Sequence, residues 1–351
     1  MTTNHTRYVS AGKEGTYNTP VAATAVGEVE SESFQQSYDV LKRNDMNYYN
    51  AAKAIVSKKI AEGSISMALQ PDKFVFMMLH GIMGNDTPSS DGGSAPSTDA
   101  RTFDELAISS TDSLPSYTFR VGRDDKEHIF AGQVLESVSI SASIGEYAMM
   151  TVNTVGAEQN SSTATLGTAV PSYTGDAAHF AKTFVRFEGA ADTTAGGHSG
   201  LVQSIDFEIK TGRDMDNSYA LGSDTCIRAP PITLREVTGS ITFHKALLTG
   251  DASENEPFFD ELMAATKANG QALLNPGSAS PALSAFFVAD ADNYIRFDFF
   301  KVHFEMPETS VSGRDTQTMT VNFHGLYDLG DANKVMQITC KSADGLSNYD
   351  A

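Results

Sequence analysis

The sequence predicts a mainly β protein made of two tandem, duplicated β-sandwich or half-barrel domains with short flanking helices. Several segments alternate apolar and polar residues with the period of two that a half-buried strand requires. Two short strand sequences also occur twice in the same order along the chain. The length of 351 residues suits two domains of about 150 residues each.

The duplication rests on two pairs of similar segments. The first pair is EGSIS (62–66) and TGSIT (238–242), and the second is MTVNTVG (150–156) and MTVNFHG (319–325). Similar element types flank both pairs, which favours a repeated domain over chance similarity between strands. The matched residues are Gly63, Ser64 and Ile65 with Gly239, Ser240 and Ile241, and Met150 and Val152 with Met319 and Val321.

Composition divides the chain into five predicted segments. Residues 1–28 are small and polar and predict an extended N-terminal arm. The first domain is expected over 29–156, with a long loop over 85–116 that is rich in Ser, Asp, Gly and Pro. The remaining segments are a linker over 157–180, a second domain over 181–328 and a C-terminal extension over 329–351.

Local patterns predict individual elements. Residues 63–69 alternate as a half-buried strand, whereas residues 71–84 and 253–270 predict amphipathic helices. Residues 48–63 fit a helix or a strand, and their periodicity does not distinguish the two. The apolar alternation changes phase within 295–306, which indicates a β-bulge.

The segment SIDFEIK (204–210) alternates most clearly. Its apolar side chains are expected to point towards a core, and Asp206, Glu208 and Lys210 are expected to lie on the opposite, polar face. This strand therefore predicts a sheet with one buried face and one face in water.

Charge and cysteine content exclude several classes of protein. Acidic residues outnumber basic ones 44 to 25, giving a net charge of -19, which argues against a protein that grips nucleic acid. The two cysteines, Cys226 and Cys340, form neither a disulfide framework nor a zinc motif. The sequence shows no signal peptide and no apolar run of membrane-spanning length, so we expect a soluble chain made in a cytosol.

Motifs of enzyme chemistry are also missing from the sequence. GGHSG (196–200) resembles a nucleophile elbow, but the strand and helix that such a turn needs are not predicted around it. The Asp-rich segments 212–218 and 290–293 lack the spacing of a calcium loop. We therefore predict no catalytic, metal-binding or cofactor-binding residues and no enzyme activity.

Five segments, in order, resemble the tail tube (major tail) proteins of long-tailed bacteriophages and related tailed viruses. They cover most of the chain outside 85–116 and the last twenty residues, and their shared order carries more weight than any one motif. Asn18 stands where the opening motif of the family usually has glycine. The segments are YVSAGKEGTYNTPV (8–21), 62–84, 131–156, 201–245 and VSGRDTQTMTVNFHGLYD (311–328).

The resemblance implies a structural virion protein, assembled in the host cytoplasm. Such subunits form rings whose inner sheets join into a β-barrel, and the rings stack into a hollow, non-contractile tube that conducts double-stranded DNA into the host. An electronegative lumen would repel phosphates, which suits the net charge of -19. Asp206, Glu208 and Lys210 are then candidates to face that lumen.

The resemblance also implies partners. Members with one domain usually form six-fold rings, so a duplicated chain implies a homotrimer with pseudo-six-fold symmetry, with a hexamer of chains as the second possibility. Further partners would be the tape measure, tail terminator and tip proteins. Double-stranded DNA would pass through without specific binding, and the protein would not insert into a membrane. Tyr8, Glu14, Asp104 and Glu105 are candidates for contacts between rings. A contractile or secretion-type tube protein and a virion decoration or adhesin module remain alternatives.

Overall fold

The structure, a computed structural model, describes a chain that is mainly β, with one α-helix and twenty strands in its described residues. The helix expected over 253–270 lies outside those residues. The described residues are 7–44, 46–51, 53–88, 100–106, 114–124, 126–160, 175–187, 202–244, 273–274, 281–290, 292–305, 318–329 and 334–342.

The elements divide into a first half, residues 7–160, and a second half, residues 175–342. The first half contains β1 (Arg7–Lys13), β2 (Ala25–Gly27), β3 (Val29–Glu32), β4 (Gln35–Arg43), β5 (Lys53–Ala68), α1 (Lys73–Met83), β6 (Gly84–Pro88), β7 (Ala100–Glu105), β8 (Tyr117–Arg123), β9 (Lys126–Ser143), β10 (Met149–Gly156) and β11 (Glu158–Asn160). The second half contains β12 (Thr183–Phe187), β13 (Val202–Lys210), β14 (Glu236–His244), β15 (Leu273–Leu274), β16 (Leu283–Val288), β17 (Tyr294–Phe299), β18 (Val302–Phe304), β19 (Thr318–Gly325) and β20 (Met336–Lys341).

One antiparallel layer, which we call the inner sheet, runs through both halves. Its order is β18-β19-β14-β13-β9-β10-β5, and β3 and β4 both pair with the far side of β5. The halves join where β13 pairs with β9 over seven residue pairs, from Ser204 opposite Ser143 to Lys210 opposite Ser137. The two-residue strand β15 pairs with the outer side of β18.

Each half also has an outer sheet that covers the apolar face of the inner sheet. In the first half β2, β1, β8, the beginning of β9 and β11 form it, and in the second half its order is β12-β16-β17-β20-β7-β6. Aromatic side chains join the layers in both halves. The rings of Phe34 and Phe130 are 5.1 Å apart, and those of Phe207 and Phe297 are 5.0 Å apart.

The two halves pair their strands in the same order and register. Ile65 lies opposite Val152 in the first half, and Ile241 lies opposite Val321 in the second. The chain β1-β8-β9-β11 likewise corresponds to β12-β16-β17-β20 in its pairing. This shared register makes β13 the counterpart of β3 and β4, and β18 the counterpart of Gln133–Leu135 in β9.

Gly63 and Gly239 occupy equivalent places in this arrangement. A Cβ atom on Gly63 would overlap the ring of Phe34, which is buried between β3 and β4. A Cβ atom on Gly239 would overlap the Asp206 carbonyl, Phe207 and the ring of Phe323. The glycine in each GSI segment is therefore needed because an aromatic side chain approaches its backbone closely.

Several predicted elements are confirmed and others differ. The helix α1 follows its cap, where Asp72 accepts a hydrogen bond from the Val75 amide at 2.7 Å, and ends at Gly84 with φ of 100°. Residues 53–68 form a single strand, which settles the ambiguity over 48–63 in favour of a strand for residues 53–63. No helix among the described residues is long and apolar enough to span a membrane.

The predicted loop and bulge have a structural explanation. The expectation of one long loop over 85–116 is wrong for its described parts, because β6 and β7 form a hairpin that extends the second half's outer sheet by pairing with β20. The phase change within 295–306 marks the passage of the chain from β17 in the outer sheet to β18 in the inner sheet. Met306 lies outside the described residues.

The chain termini also join the sheets. The segment expected to be an extended arm contributes β1, which pairs with β8 over seven residues, and β2. The expected C-terminal extension contributes β20 to the second outer sheet.

We expect Gly63→Ala and Gly239→Ala each to lower the free energy of unfolding by about 1–3 kcal/mol, because the added methyl group must displace packed aromatic rings. Chemical denaturation of each variant measures this. Gly15→Ala is the matched control, since a Cβ atom there meets nothing within 4 Å. Equal stability of all three variants would contradict the packing role.

Candidate assembly surfaces

The face of the inner sheet opposite the core is rich in hydroxyl groups. Asp206, Glu208 and Lys210 lie on this face, in agreement with the alternation of their strand. The Ser240 hydroxyl donates to Asp206 at 2.6 Å, and Lys210 forms an ion pair with Glu208 at 3.0 Å. The neighbouring residues on β9 and β14 are Ser137, Ser139, Ser141, Ser143 and Thr238.

The equivalent strand positions in the first half are uncharged. Ser33 donates its amide to the Ser64 carbonyl, Gln35 lies opposite Glu62, and Ser37 lies opposite Ile60. By the shared register these three residues correspond to Asp206, Glu208 and Lys210. The repeat thus carries a charged triplet in one half and a neutral triplet in the other.

The inner sheet ends in two different strands. The β3–β4 edge lies at one end and β18 at the other, with eight strand positions from end to end. Neighbouring strands are spaced by about 4.8 Å, so the ends are about 34 Å apart along the sheet. Within the described residues of one chain, these two edges do not pair with each other.

A long connection reinforces the junction between the halves. Residues 211–235, which we call the strap, leave β13, cross β9 and reach β5. The Thr211 amide donates to the Glu136 carbonyl at 2.9 Å, and Arg213 Nε donates to the Leu135 carbonyl at 3.2 Å. Burial lowers the pKa of Arg213 to about 10. The strap is therefore packed tightly against β9.

The far part of the strap is bound to β5. The Tyr219 hydroxyl donates to the Lys59 carbonyl at 2.8 Å. Lys59 forms an ion pair with Asp224 at 2.7 Å, and Lys58 forms one with Asp216 at 2.8 Å. Exposed pairs of this kind add little stability singly, but here they accompany backbone hydrogen bonds.

The β3–β4 edge borders an open cleft. This cleft, of about 630 Å³, lies between β1 and β3 and includes Val9 and Glu32 in its lining. The corresponding cleft in the second half is about 140 Å³ and has a further wall, Ala142–Ile144, from the end of β9. The first half therefore has an equivalent cleft that lacks this wall.

The connection between β4 and β5 exposes large apolar side chains. Residues 38–59, which we call the β4–β5 hairpin, project from the first half, and Leu41 and Ile55 are 61% and 68% exposed. An exposed apolar cluster of this size marks an interaction surface. The other exposed members are Tyr38, Val40, Met46, Tyr48, Tyr49 and Val56.

Glu14, one of the four candidates for contacts between rings, is buried within the chain. Its carboxylate accepts hydrogen bonds from the hydroxyls of Ser116 and Thr118 at 2.7 and 2.8 Å. It also accepts from the amides of Gly132 and Asn18 at 2.8 and 2.9 Å. Glu14 thereby ties the turn after β1 to β8 and β9.

The other three candidates also have partners within the chain. The Tyr8 hydroxyl donates to Glu127 at 2.6 Å. Asp104 pairs with Lys334 at 2.7 Å, which holds β7 beside β20. Burial raises the pKa of the nearby Glu105 carboxyl group. Their role in contacts between rings stays a prediction.

Sequence reasoning missed the strap and the β4–β5 hairpin as surfaces. The Asp-rich segment 212–218 was considered only as a calcium loop, and the ambiguous segment 48–63 concealed the long strand β5. Their correspondence could have been found by counting outward from the two GSI segments.

Among the described residues, no group of three or more His, Cys, Asp or Glu side chains could hold a metal ion.

The family model that matches residues 5–325 of this chain is described as "phage tail tube protein". No curated protein matches the chain significantly.

We expect Glu14→Gln to lower the free energy of unfolding by about 2–4 kcal/mol, because the amide cannot accept from all four donors and leaves buried groups unpaired. Thermal and urea denaturation check this. Glu146→Gln, at an exposed turn position, is the control. A loss in the control equal to that in Glu14→Gln would contradict the proposed contribution of the buried carboxylate.

Proposed function

The chain belongs to the phage tail tube protein family, and we propose that it forms the stacked rings of a non-contractile tail tube that conducts double-stranded DNA into the host. The family makes it a structural component of the virion. The observation that supports the ring is the junction between β9 and β13, because it joins two equivalent units edge to edge.

The internal junction supplies a template for the contact between chains. β3 and β4 are the counterparts of β13, and β18 is the counterpart of Gln133–Leu135, the part of β9 just before the junction residues. By the same register the junction residues 137–143 correspond to 306–312, which lie outside the described residues. A second copy would therefore present its β3–β4 edge at the end of β18. Such a contact is head-to-tail, and repeated rotation closes it into a ring.

Three copies give the six equivalent units that a pseudo-six-fold ring needs, and a hexamer of chains is the second choice. Eight inner strands per chain then make a barrel of twenty-four strands. At about 4.8 Å per strand the circumference is about 115 Å and the diameter between backbones about 37 Å, larger if the strands tilt. A DNA duplex can pass through such a channel.

The polar face of the inner sheet would line the channel. Serine, threonine and asparagine side chains offer no fixed positive charge to phosphates, and the overall charge of -19 opposes adhesion of DNA. Because the charged triplet occurs in one half only, charged and neutral triplets would alternate around the ring. DNA would pass without specific binding.

The proposal includes the remaining partners and place of assembly. Rings would assemble in the host cytoplasm around the tape measure protein, and the tube would end at terminator and tip proteins. The protein would act by assembly, without enzyme chemistry.

Tyr38→Cys combined with Glu305→Cys should form a disulfide between neighbouring chains, because these positions correspond to Thr211 and Glu136 at the internal junction. Non-reducing electrophoresis of the oxidised rings should show a ladder that ends at a covalent trimer. Each single-cysteine variant is a control, since Cys226 and Cys340 are buried.

A ladder that ends at six chains would replace the trimer with the hexamer. Tubes seen by electron microscopy without any cross-link would contradict the register. A monomer at every concentration would overturn the ring.

Reversing charge at two positions, Asp206→Lys with Glu208→Lys, should permit tube assembly but slow DNA ejection, because lysines facing the channel attract phosphates. Phage carrying the variant should eject DNA more slowly, with the delay smaller at high salt. Ser33→Asp with Gln35→Glu, at the equivalent neutral positions, is the control and should leave ejection unimpaired. Normal ejection by the lysine variant would contradict the lumen assignment.

A further inference from the structure

The exposed β4–β5 hairpin is the counterpart of the strap. The hairpin leaves the inner sheet after Ser37 and returns at Ile60, and the strap leaves after Lys210 and returns at Glu236. These pairs of residues occupy the same register positions in the two halves. The strap is packed against the other half and meets the hairpin at Lys58 and Lys59, whereas residues 38–43 and 53–56 of the hairpin are exposed.

The strap shows what its counterpart should cover. It lies on Leu135 and Glu136 at the end of the inner sheet and reaches Lys58 and Lys59. By the shared register, Leu135 and Glu136 correspond to Phe304 and Glu305 of the second half. Lys58 and Lys59 correspond to Leu234 and Arg235, which directly precede β14.

That region of the second half carries its own exposed apolar side chains. Leu234 is 66% exposed and Leu329 is 82% exposed. Leu326 and Tyr327, which follow directly after β19, are exposed as well. The internal contact uses Lys–Asp ion pairs at the corresponding place, whereas both exposed surfaces are apolar. They therefore match each other in chemistry.

We infer that the β4–β5 hairpin of one chain packs across β18 and β19 of the next chain in the same ring, over Leu234 and Leu326. The occupant is a second copy of this chain because the strap makes the equivalent contact between the two halves, and the hairpin and its counterpart surface belong to strands at opposite ends of one inner sheet. The hairpin then strengthens the seam between chains as the strap strengthens the junction between halves. This inference rests on the proposed ring, and it assigns the hairpin to contacts within a ring rather than between rings.

The test is the double variant Leu41→Ser with Ile55→Ser, and separately Leu234→Ser. Both sites are exposed in one chain, so the monomer should keep its circular dichroism spectrum and its melting temperature. Native mass spectrometry should show at least a tenfold loss of closed rings at a protein concentration where the unchanged chain is fully assembled. Leu221→Ser is the matched control, because this leucine is fully exposed on the strap and lies outside both surfaces.

The possible outcomes distinguish a failure of the proposed hairpin contact from a failure of the proposed ring. Variant rings of normal mass that no longer stack would overturn the inference and assign the hairpin to contacts between rings. Normal rings and tubes in both variants would also overturn it and leave the tube proposal intact. An unchanged chain that never forms rings would overturn both. A further variant combines Ile55→Glu with Leu234→Lys. If each single substitution prevents ring formation and the combination restores it, the result would support direct contact between the two positions.

Discussion

The antiparallel pairing of β9 with β13 is the interaction on which the architecture depends. Seven residue pairs in register join two units that would otherwise each end in an unpaired sheet edge. Exposed edges promote uncontrolled association, and a sheet that runs through both halves removes two of them from each chain. The edges that remain are β3–β4, the counterpart of β13, and β18, the counterpart of Gln133–Leu135 in β9. In the proposed ring, the contact between chains would repeat the internal junction.

The residues of the repeat explain how much of this could be read from sequence. GSI and MTVN were recognisable because a glycine must pass beside an aromatic ring and because alternating strands need apolar side chains on one face. Their direct pairing in identical register, Ile65 with Val152 and Ile241 with Val321, requires the fold. Asp206, Glu208 and Lys210 were placed on the polar face by alternation alone, which is the most local signal in a sheet.

Other features depended on contacts between distant segments and had no local signal. The β6–β7 hairpin comes from a stretch with the composition of a loop, and its strands form because β20 offers an edge more than 230 residues away. Glu14 has the charge of a surface residue, yet four donors from three segments make its burial favourable. Ser33, Gln35 and Ser37 share no sequence with Asp206, Glu208 and Lys210, so only strand pairing shows that they are equivalent.

The β6–β7 hairpin of the first half pairs with the outer sheet of the second half, and this pairing has a mechanical consequence. Each chain is joined twice internally, through the inner sheet at β9 and β13 and through the outer sheet at β7 and β20. Two attachments in separate layers resist hinge motion between the halves, so one chain behaves as a stiff unit. In the proposed tube, bending would therefore take place at the contacts between chains and between rings rather than within a chain.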